Sequence, residues 1–273
     1  MGWLMTKMKY NVLRNEPNKN DIMKKIWSLI LLLLLLPYTG EARKKVLFIG
    51  DSITDAGWGR SGGSPKPTSE RNLTDLNHIY GHGFMFLCAA HYQSEYPEAD
   101  YEFFNRGISG DTLEKLEKRW KTDALDIQPD VLTLLVGIND VYDFLRDCEG
   151  DFDFSAWEQR YRALLDSSLA ANPELKLVLG APFIANVGSM RKKTDYAKRE
   201  ALVKGCAEVV KRIAEDYKAV YLPFDKLFEK LNTETPESRS TYWIWDGVHP
   251  TAAGHQRMAN LWIKAVDKKR WLK

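Results

Sequence analysis

The chain has 273 residues, 44% apolar and 28% charged, with a formal net charge of +2; this composition excludes a disordered or fibrous protein. The length fits one sizeable domain and is short for two. Residues 1–42 hold six Lys/Arg and three acids, so residues 43–273 carry 33 basic and 34 acidic side chains, a net of −1, which argues against nucleic acid as a partner.

Residues 1–42 read as a signal peptide with a long polar n-region. Lys24 and Lys25 precede an apolar run of 11 residues from Ile26 to Leu36, Pro37 ends it, and Gly40 and Ala42 supply a small-residue exit. Spanning a bilayer takes about 20 apolar residues, so no stable membrane anchor is expected. Met23 is a candidate translation start. The body, 43–273, is then expected to be secreted or periplasmic.

The body alternates strands and helices. Lys45–Ile49 is an apolar run suited to a buried strand. A loop rich in Gly, Ser and Pro follows, from Gly57 to Asn77. Gly83–Glu95 reads as a helix with Phe84, Leu87, Cys88 and His91 on one face, and Tyr101–Asn105 as a second strand. Asp111 is a candidate N-cap for a helix to Lys121, with Glu114 at the capping-box position. Val131–Val136 is a third strand, Phe154–Ala171 a helix, Leu175–Leu179 a fourth strand, Thr194–Tyr217 a long helix and Val220–Leu222 a fifth strand. Thr251–Val266 is the last helix. Asp143, Asp147, Glu149, Asp151 and Asp153 lack EF-hand spacing and read as a solvated loop. Cys88, Cys148 and Cys206 show no zinc-type spacing and read as unpaired. His78, His82, His91 and His255 show no ligand-like spacing, so no metal is expected. Asn72-Leu73-Thr74 is a glycosylation acceptor only in a eukaryotic secretory pathway. Continuously apolar strands separated by helices imply an α/β fold, a parallel sheet covered on both faces, with ligands at the carboxyl ends of its strands.

Four short motifs each follow a strand or precede a helix: Gly50-Asp51-Ser52-Ile53-Thr54, Asn105–Thr112 and Gly137-Ile138-Asn139-Asp140 leave strands, and Asp246-Gly247-Val248-His249-Pro250 precedes the last helix. Together they suit acyl transfer. A serine hydroxyl needs a base, and His249 can take its proton. Asp246, three residues earlier, can hold the other ring nitrogen. The backbone N–H of Ser52, the backbone N–H of Gly110 and the side-chain amide of Asn139 are candidate oxyanion donors. Singly, each motif has an ordinary reading as a strand-exit turn, a helix cap or a structural histidine.

The four blocks resemble the SGNH hydrolases, or GDSL-type esterases, through Ser52, Gly110, Asn139 and His249, with GDSI in the first block. The resemblance covers about Lys45 to Val266. It implies a three-layer α/β/α flavodoxin-like sandwich with a central five-stranded parallel sheet, and a serine esterase without cofactor. Within the family, VLFIGDSITD, NRGISGDT, QPDVLTLLVGINDVY and WDGVHPTAAGH look most like bacterial acetyl-xylooligosaccharide esterases. The substrate implied is a small acetylated carbohydrate; a lysophospholipase or thioesterase on the same scaffold is the alternative, and oligomerisation stays open. Around the centre, Asp51, Trp58, Arg60 and Trp245 are candidate substrate contacts. Asp51 can instead brace the turn, and one of Trp243 and Trp245 is expected to pack inward.

Overall fold

The structure is a computed structural model, and it describes residues 19–34, 43–61, 64–71 and 80–272. It divides into two compact units, 1–42 and 43–273. In the first, Lys19–Leu34 forms helix α1; no helix among the described residues is long and apolar enough to cross a membrane. The expected cleavage region around Gly40 and Ala42 lies outside the described residues, as do Asn72–Thr74 and His78.

The second unit begins with β1 (Lys45–Gly50), the short helix α2 (Ser52–Asp55) and a hairpin of two-residue strands, β2 (Arg60–Ser61) and β3 (Ser64–Pro65). Then come α3 (Phe84–Glu95), β4 (Glu102–Gly107), α4 (Leu113–Trp120), β5 (Val131–Leu135), α5 (Ile138–Asp147) and α6 (Phe154–Ala171). β6 (Lys176–Gly180), α7 (Tyr196–Asp216), β7 (Val220–Leu222), α8 (Phe224–Thr233) and α9 (Ala252–Lys269) complete it. Five strands form one parallel sheet in the order β4-β1-β5-β6-β7, the flavodoxin-like arrangement.

Right-handed crossovers dictate the layers. The chain steps one way from β1 to β4 and the other way from β4 through β5 and β6 to β7. Helices of opposite steps therefore fall on opposite faces, and α3 packs with α9 while α4, α6 and α7 pack together. The core strands are buried on both sides: Val46, Leu47, Phe48 and Ile49 are all inaccessible. The Phe48 ring meets Phe84 of α3 at 5.5 Å and Trp262 of α9 at 5.1 Å. The one polar residue of β5, Thr133, accepts the Trp262 indole N–H at 2.9 Å, so neither buried polar group lacks a partner.

Several local readings need correction. The cap of α4 is Thr112, whose hydroxyl accepts the Lys115 N–H, whereas Asp111 turns to Arg119. The acidic stretch is not a loop throughout. Asp143 and Asp147 lie on α5, whose Ile138 and Val141 are buried, and Asp153 caps α6. α8, also unanticipated, buries Phe224, Phe228 and Leu231. The inner face of α3 is Phe84, Met85, Cys88, Ala89 and Tyr92, one residue round from the expected stripe. Cys88, Cys148 and Cys206 are unpaired thiols.

Candidate active site

The sheet order reverses at β1, between its neighbours β4 and β5. Crossovers leaving in opposite directions open a crevice at the carboxyl ends of these strands. Gly50 pairs in register with Gly107 of β4 and with Leu135 of β5. The first three motifs therefore leave the sheet side by side.

Asp51 caps α2: its Oδ1 accepts the Ile53 N–H at 2.9 Å. Ser52 is then the first helical residue, where a backbone N–H has no intrahelical acceptor. Its Oγ lies 2.9 Å from His249 Nε2. His249 Nδ1 lies 2.7 Å from Asp246 Oδ2, and Asp246 Oδ1 accepts the N–H groups of Val248 at 2.9 Å and His249 at 2.8 Å. Both carboxylate oxygens are thus engaged. Burial raises the Asp246 carboxyl, but the bonds from the His249 ring and from the His249 and Val248 amides outweigh it and hold the group below the usual carboxylate range. An ionised acid on Nδ1 fixes the tautomer, with Nδ1–H donating to Asp246 and Nε2 accepting from Ser52.

The loop carrying this pair is pinned from two sides. Ile244 and Pro250 form an antiparallel bridge. The Trp245 N–H donates to the His249 carbonyl at 3.1 Å, and the Thr251 N–H to the Trp243 carbonyl at 2.9 Å. On the other side, the Ala185 N–H donates to Gly247 O at 2.8 Å and the Met190 N–H to Asp246 O at 3.2 Å. Gly188 makes this contact feasible, because a Cβ there would sit 2.1 Å from the Trp245 carbonyl oxygen. Thr251 caps α9. One turn on, His255 accepts the Phe84 N–H at 3.1 Å and so caps α3. Burial, with the nearby His82 and His249 charges, lowers its pKa to about 4; His255 is a neutral structural residue.

Gly110 has φ +85°, at the third position of a turn closed by the Asp111 N–H to the Ile108 carbonyl at 3.1 Å. Only glycine adopts this conformation without strain. No atom lies within 4 Å of the position its Cβ would take, so the turn is open to an incoming group. Asn139, in the first turn of α5, donates from Nδ2 to the Asp111 carbonyl at 3.0 Å; the amide has a second N–H.

The four candidate contacts fare differently. Asp51 is 1% exposed and serves as a cap, so it is not placed to touch substrate. Trp58 is half-buried and lies under the Arg71 guanidinium, 4.6 Å from its ring centroid. Arg71 also pairs with Asp55 at 3.1 Å, an ion pair with both partners buried. Arg60 sits on β2, and its side chain lies outside the described residues. Trp245 is 59% exposed and lies beside the His249 ring, centroids 6.4 Å apart. Trp243 packs inward, its indole N–H on Thr235 Oγ1 at 2.7 Å.

Two buried acids underlie the site. Burial raises Asp51 from 3.8 to about 7, and Asp140 from 3.8 to about 6. Asp140 Oδ1 accepts the Leu113 N–H and the Trp157 indole N–H, each at 2.9 Å. A raised folded pKa means that folding takes up protons between the unfolded and folded values, so stability falls as pH rises from about 4 to about 7. Replacing Asp51 by Asn removes one of these titrations. Differential scanning fluorimetry should show a smaller fall in Tm across that window for Asp51→Asn than for the wild type; equal falls would refute the assignment.

Comparison with known proteins places this chain in a family. The GDSL-like Lipase/Acylhydrolase family profile matches residues 48–257. An acetylxylan esterase of Geobacillus stearothermophilus is 32% identical over 231 residues, covering 82% of this chain and 94% of that protein. A GDSL-like lipase from Parabacteroides merdae superposes with a TM-score of 0.71 at 30% identity, covering 85% of this chain and 97% of the other. The Geobacillus acetylxylan esterase superposes with a TM-score of 0.60 at 27% identity, covering 82% and 94%. Variants described as catalytic mutants of that esterase replace a serine, an aspartate and a histidine. The chain belongs to the GDSL-like lipase/acylhydrolase family and is a carboxylic ester hydrolase.

Proposed function

We propose that the chain removes acetyl groups from acetylated xylo-oligosaccharides, with Ser52 as nucleophile, His249 as general base and acid, and Asp246 as the group that orients the imidazole. The observation that carries this reading is the continuous relay from Ser52 Oγ through His249 to Asp246, with steps of 2.9 and 2.7 Å, at the exit of β1. Ser52 Oγ adds to the ester carbonyl as its proton passes to His249 Nε2. His249 returns the proton to the departing sugar oxygen, leaving acetyl on Ser52. Water then repeats the sequence and releases acetate. The Ser52 and Gly110 N–H groups and the Asn139 amide receive the oxyanion; each such donor is typically worth about 10²–10³ in turnover.

Two further observations favour a sugar ester. The acetylxylan esterase similarity covers nearly all of that relative. The exposed face of Trp245 beside His249 offers a flat apolar surface at the leaving-group side, suited to a pyranose ring. The partner is thus a small acetylated carbohydrate. Residues 1–42 act in this reading as a cleaved export signal that delivers residues 43–273 to the periplasm or the medium.

Ser52→Ala should retain the wild-type Tm and lose at least about 10⁴-fold in hydrolysis of p-nitrophenyl acetate; near-wild-type turnover would sink the relay. The wild type should release acetate from acetylated xylo-oligosaccharides and prefer p-nitrophenyl acetate to the decanoate, whereas preference for decanoate would favour a lysophospholipase or thioesterase. Trp245→Ala should raise KM for the acetylated oligosaccharide about 5–10-fold, the weight of one aromatic stack, and leave p-nitrophenyl acetate hydrolysis within about twofold. Equal losses on both would assign Trp245 to support of His249 instead. Expressed with its leader in a Gram-negative host, the protein should appear outside the cytoplasm with an N-terminus near residue 43, read by mass spectrometry; an intact leader on cytoplasmic protein would refute export.

A further inference from the structure

We propose that Arg119, which lies in none of the four motifs, is a positioning residue that locks the nucleophile strand to the oxyanion donors. The inference rests on the roles given to Ser52, Gly110 and Asn139 above. Arg119 lies near the end of α4 with its side chain 15% exposed. Its guanidinium makes three separate attachments. Nε donates to Asp111 Oδ2 at 2.7 Å, Nη1 to Asp123 Oδ2 at 2.7 Å, and Nη2 to the Gly50 carbonyl at 3.3 Å.

Each attachment leads to a different part of the site. Gly50 is two residues before Ser52, and its carbonyl also accepts the Ile108 N–H at 3.0 Å, which joins β1 to the Gly110 turn. Asp111 follows Gly110 directly, and its own carbonyl receives the Asn139 amide at 3.0 Å. Asp123 Oδ1 accepts the Thr68 hydroxyl at 2.6 Å, which ties in the segment after the β2–β3 hairpin. One rigid fork thereby connects the strand that presents the nucleophile with the backbone that presents two of the three oxyanion donors.

The fork is the relevant property. A guanidinium holds its donors in one plane with fixed angles, so three acceptors on three segments are constrained relative to one another. A lysine keeps the charge but is a single point on a flexible stem. Burial raises the carboxyl of Asp111, and Arg119, paired with it, opposes the shift. An error of about 1 Å in donor placement costs on the order of 10² in rate. Ground-state binding of an ester depends far less on these donors, since the oxyanion forms only on the way to the tetrahedral intermediate.

The test is steady-state hydrolysis of p-nitrophenyl acetate by the full chain carrying Arg119→Lys or Arg119→Ala, assayed well below the lower Tm and referred to folded protein by near-UV circular dichroism. Arg119→Lys should lose about 10–100-fold in kcat with KM within about twofold. Guanidinium at millimolar concentration should restore part of the Arg119→Ala activity, and sodium or ammonium at equal ionic strength should not. Wild-type kcat in Arg119→Lys overturns the proposal. So does a loss in Arg119→Ala that guanidinium does not relieve more than sodium, because that is the behaviour of a packing residue. Ser52→Ala in the same assay separates the two levels: if it stays active, the nucleophile assignment fails; if it is inactive while Arg119→Lys is unimpaired, only the clamp fails.

Discussion

The reversal of strand order at β1 governs the arrangement of this molecule. A parallel sheet needs a crossover between each pair of strands consecutive in the chain, and right-handedness puts each crossover on a face determined by its direction. Because β4 and β5 flank β1 and are reached in opposite directions, the segments leaving β1, β4 and β5 diverge. Backbone amides and short side chains at these exits are left facing a common space. Ser52, Gly110 and Asn139 need no long loops to meet, since each lies within four residues of the end of its strand.

That convergence has an electrostatic cost, and the protein meets it with paired charge. Asp51, Asp55, Asp111, Asp123 and Asp140 are drawn beneath the crevice. Asp55 is answered by Arg71, and Asp111 and Asp123 by Arg119. Breaking one partner of a buried pair typically costs about 3–5 kcal/mol. Asp51 and Asp140 have amide and indole donors and form no ion pair with Lys or Arg among the described residues, and burial raises their affinity for protons. The base of the site is thus held by oriented charge as much as by apolar contact.

Much of this was legible in the residues. Apolar runs marked β1, β5 and β6, because strands covered on both faces cannot alternate, whereas the edge strand β4 alternates in burial and carries Glu102, Asn105 and Arg106. The bounds of α6 were also readable. Ser52, Asp246 and His249 could be singled out because each sits in a short local motif, Ser52 at a strand exit and the other two just before a helix. Other features were obscured for definite reasons. Acids on the outer face of α5 masked its apolar inner face. The spacing of Phe224, Leu227, Phe228 and Leu231 is that of a helix, but it follows directly on a three-residue strand and Pro223, a residue that breaks helices as well as starting them. Asp51 was readable as a brace of its turn, but Arg71, Arg119 and His255 could not be assigned, since what defines them is a partner 16 to 171 positions away, and an arginine on an amphipathic helix looks solvated from the sequence alone.

The loop that carries Asp246 and His249 has a different mounting from the other motifs. Asp246 and His249 are not strand-exit residues; they are carried by α9 through Thr251 and closed by the Ile244–Pro250 bridge. His255, on the same helix, ties this mount to the start of α3. The geometry of the relay is therefore referenced to the C-terminal helix and not to the stretch of chain that leads into the loop from β7. Residues 236–239, after α8, are all exposed, so this short turn can change length while the spacing from Ser52 to His249 and Asp246 keeps its dimensions.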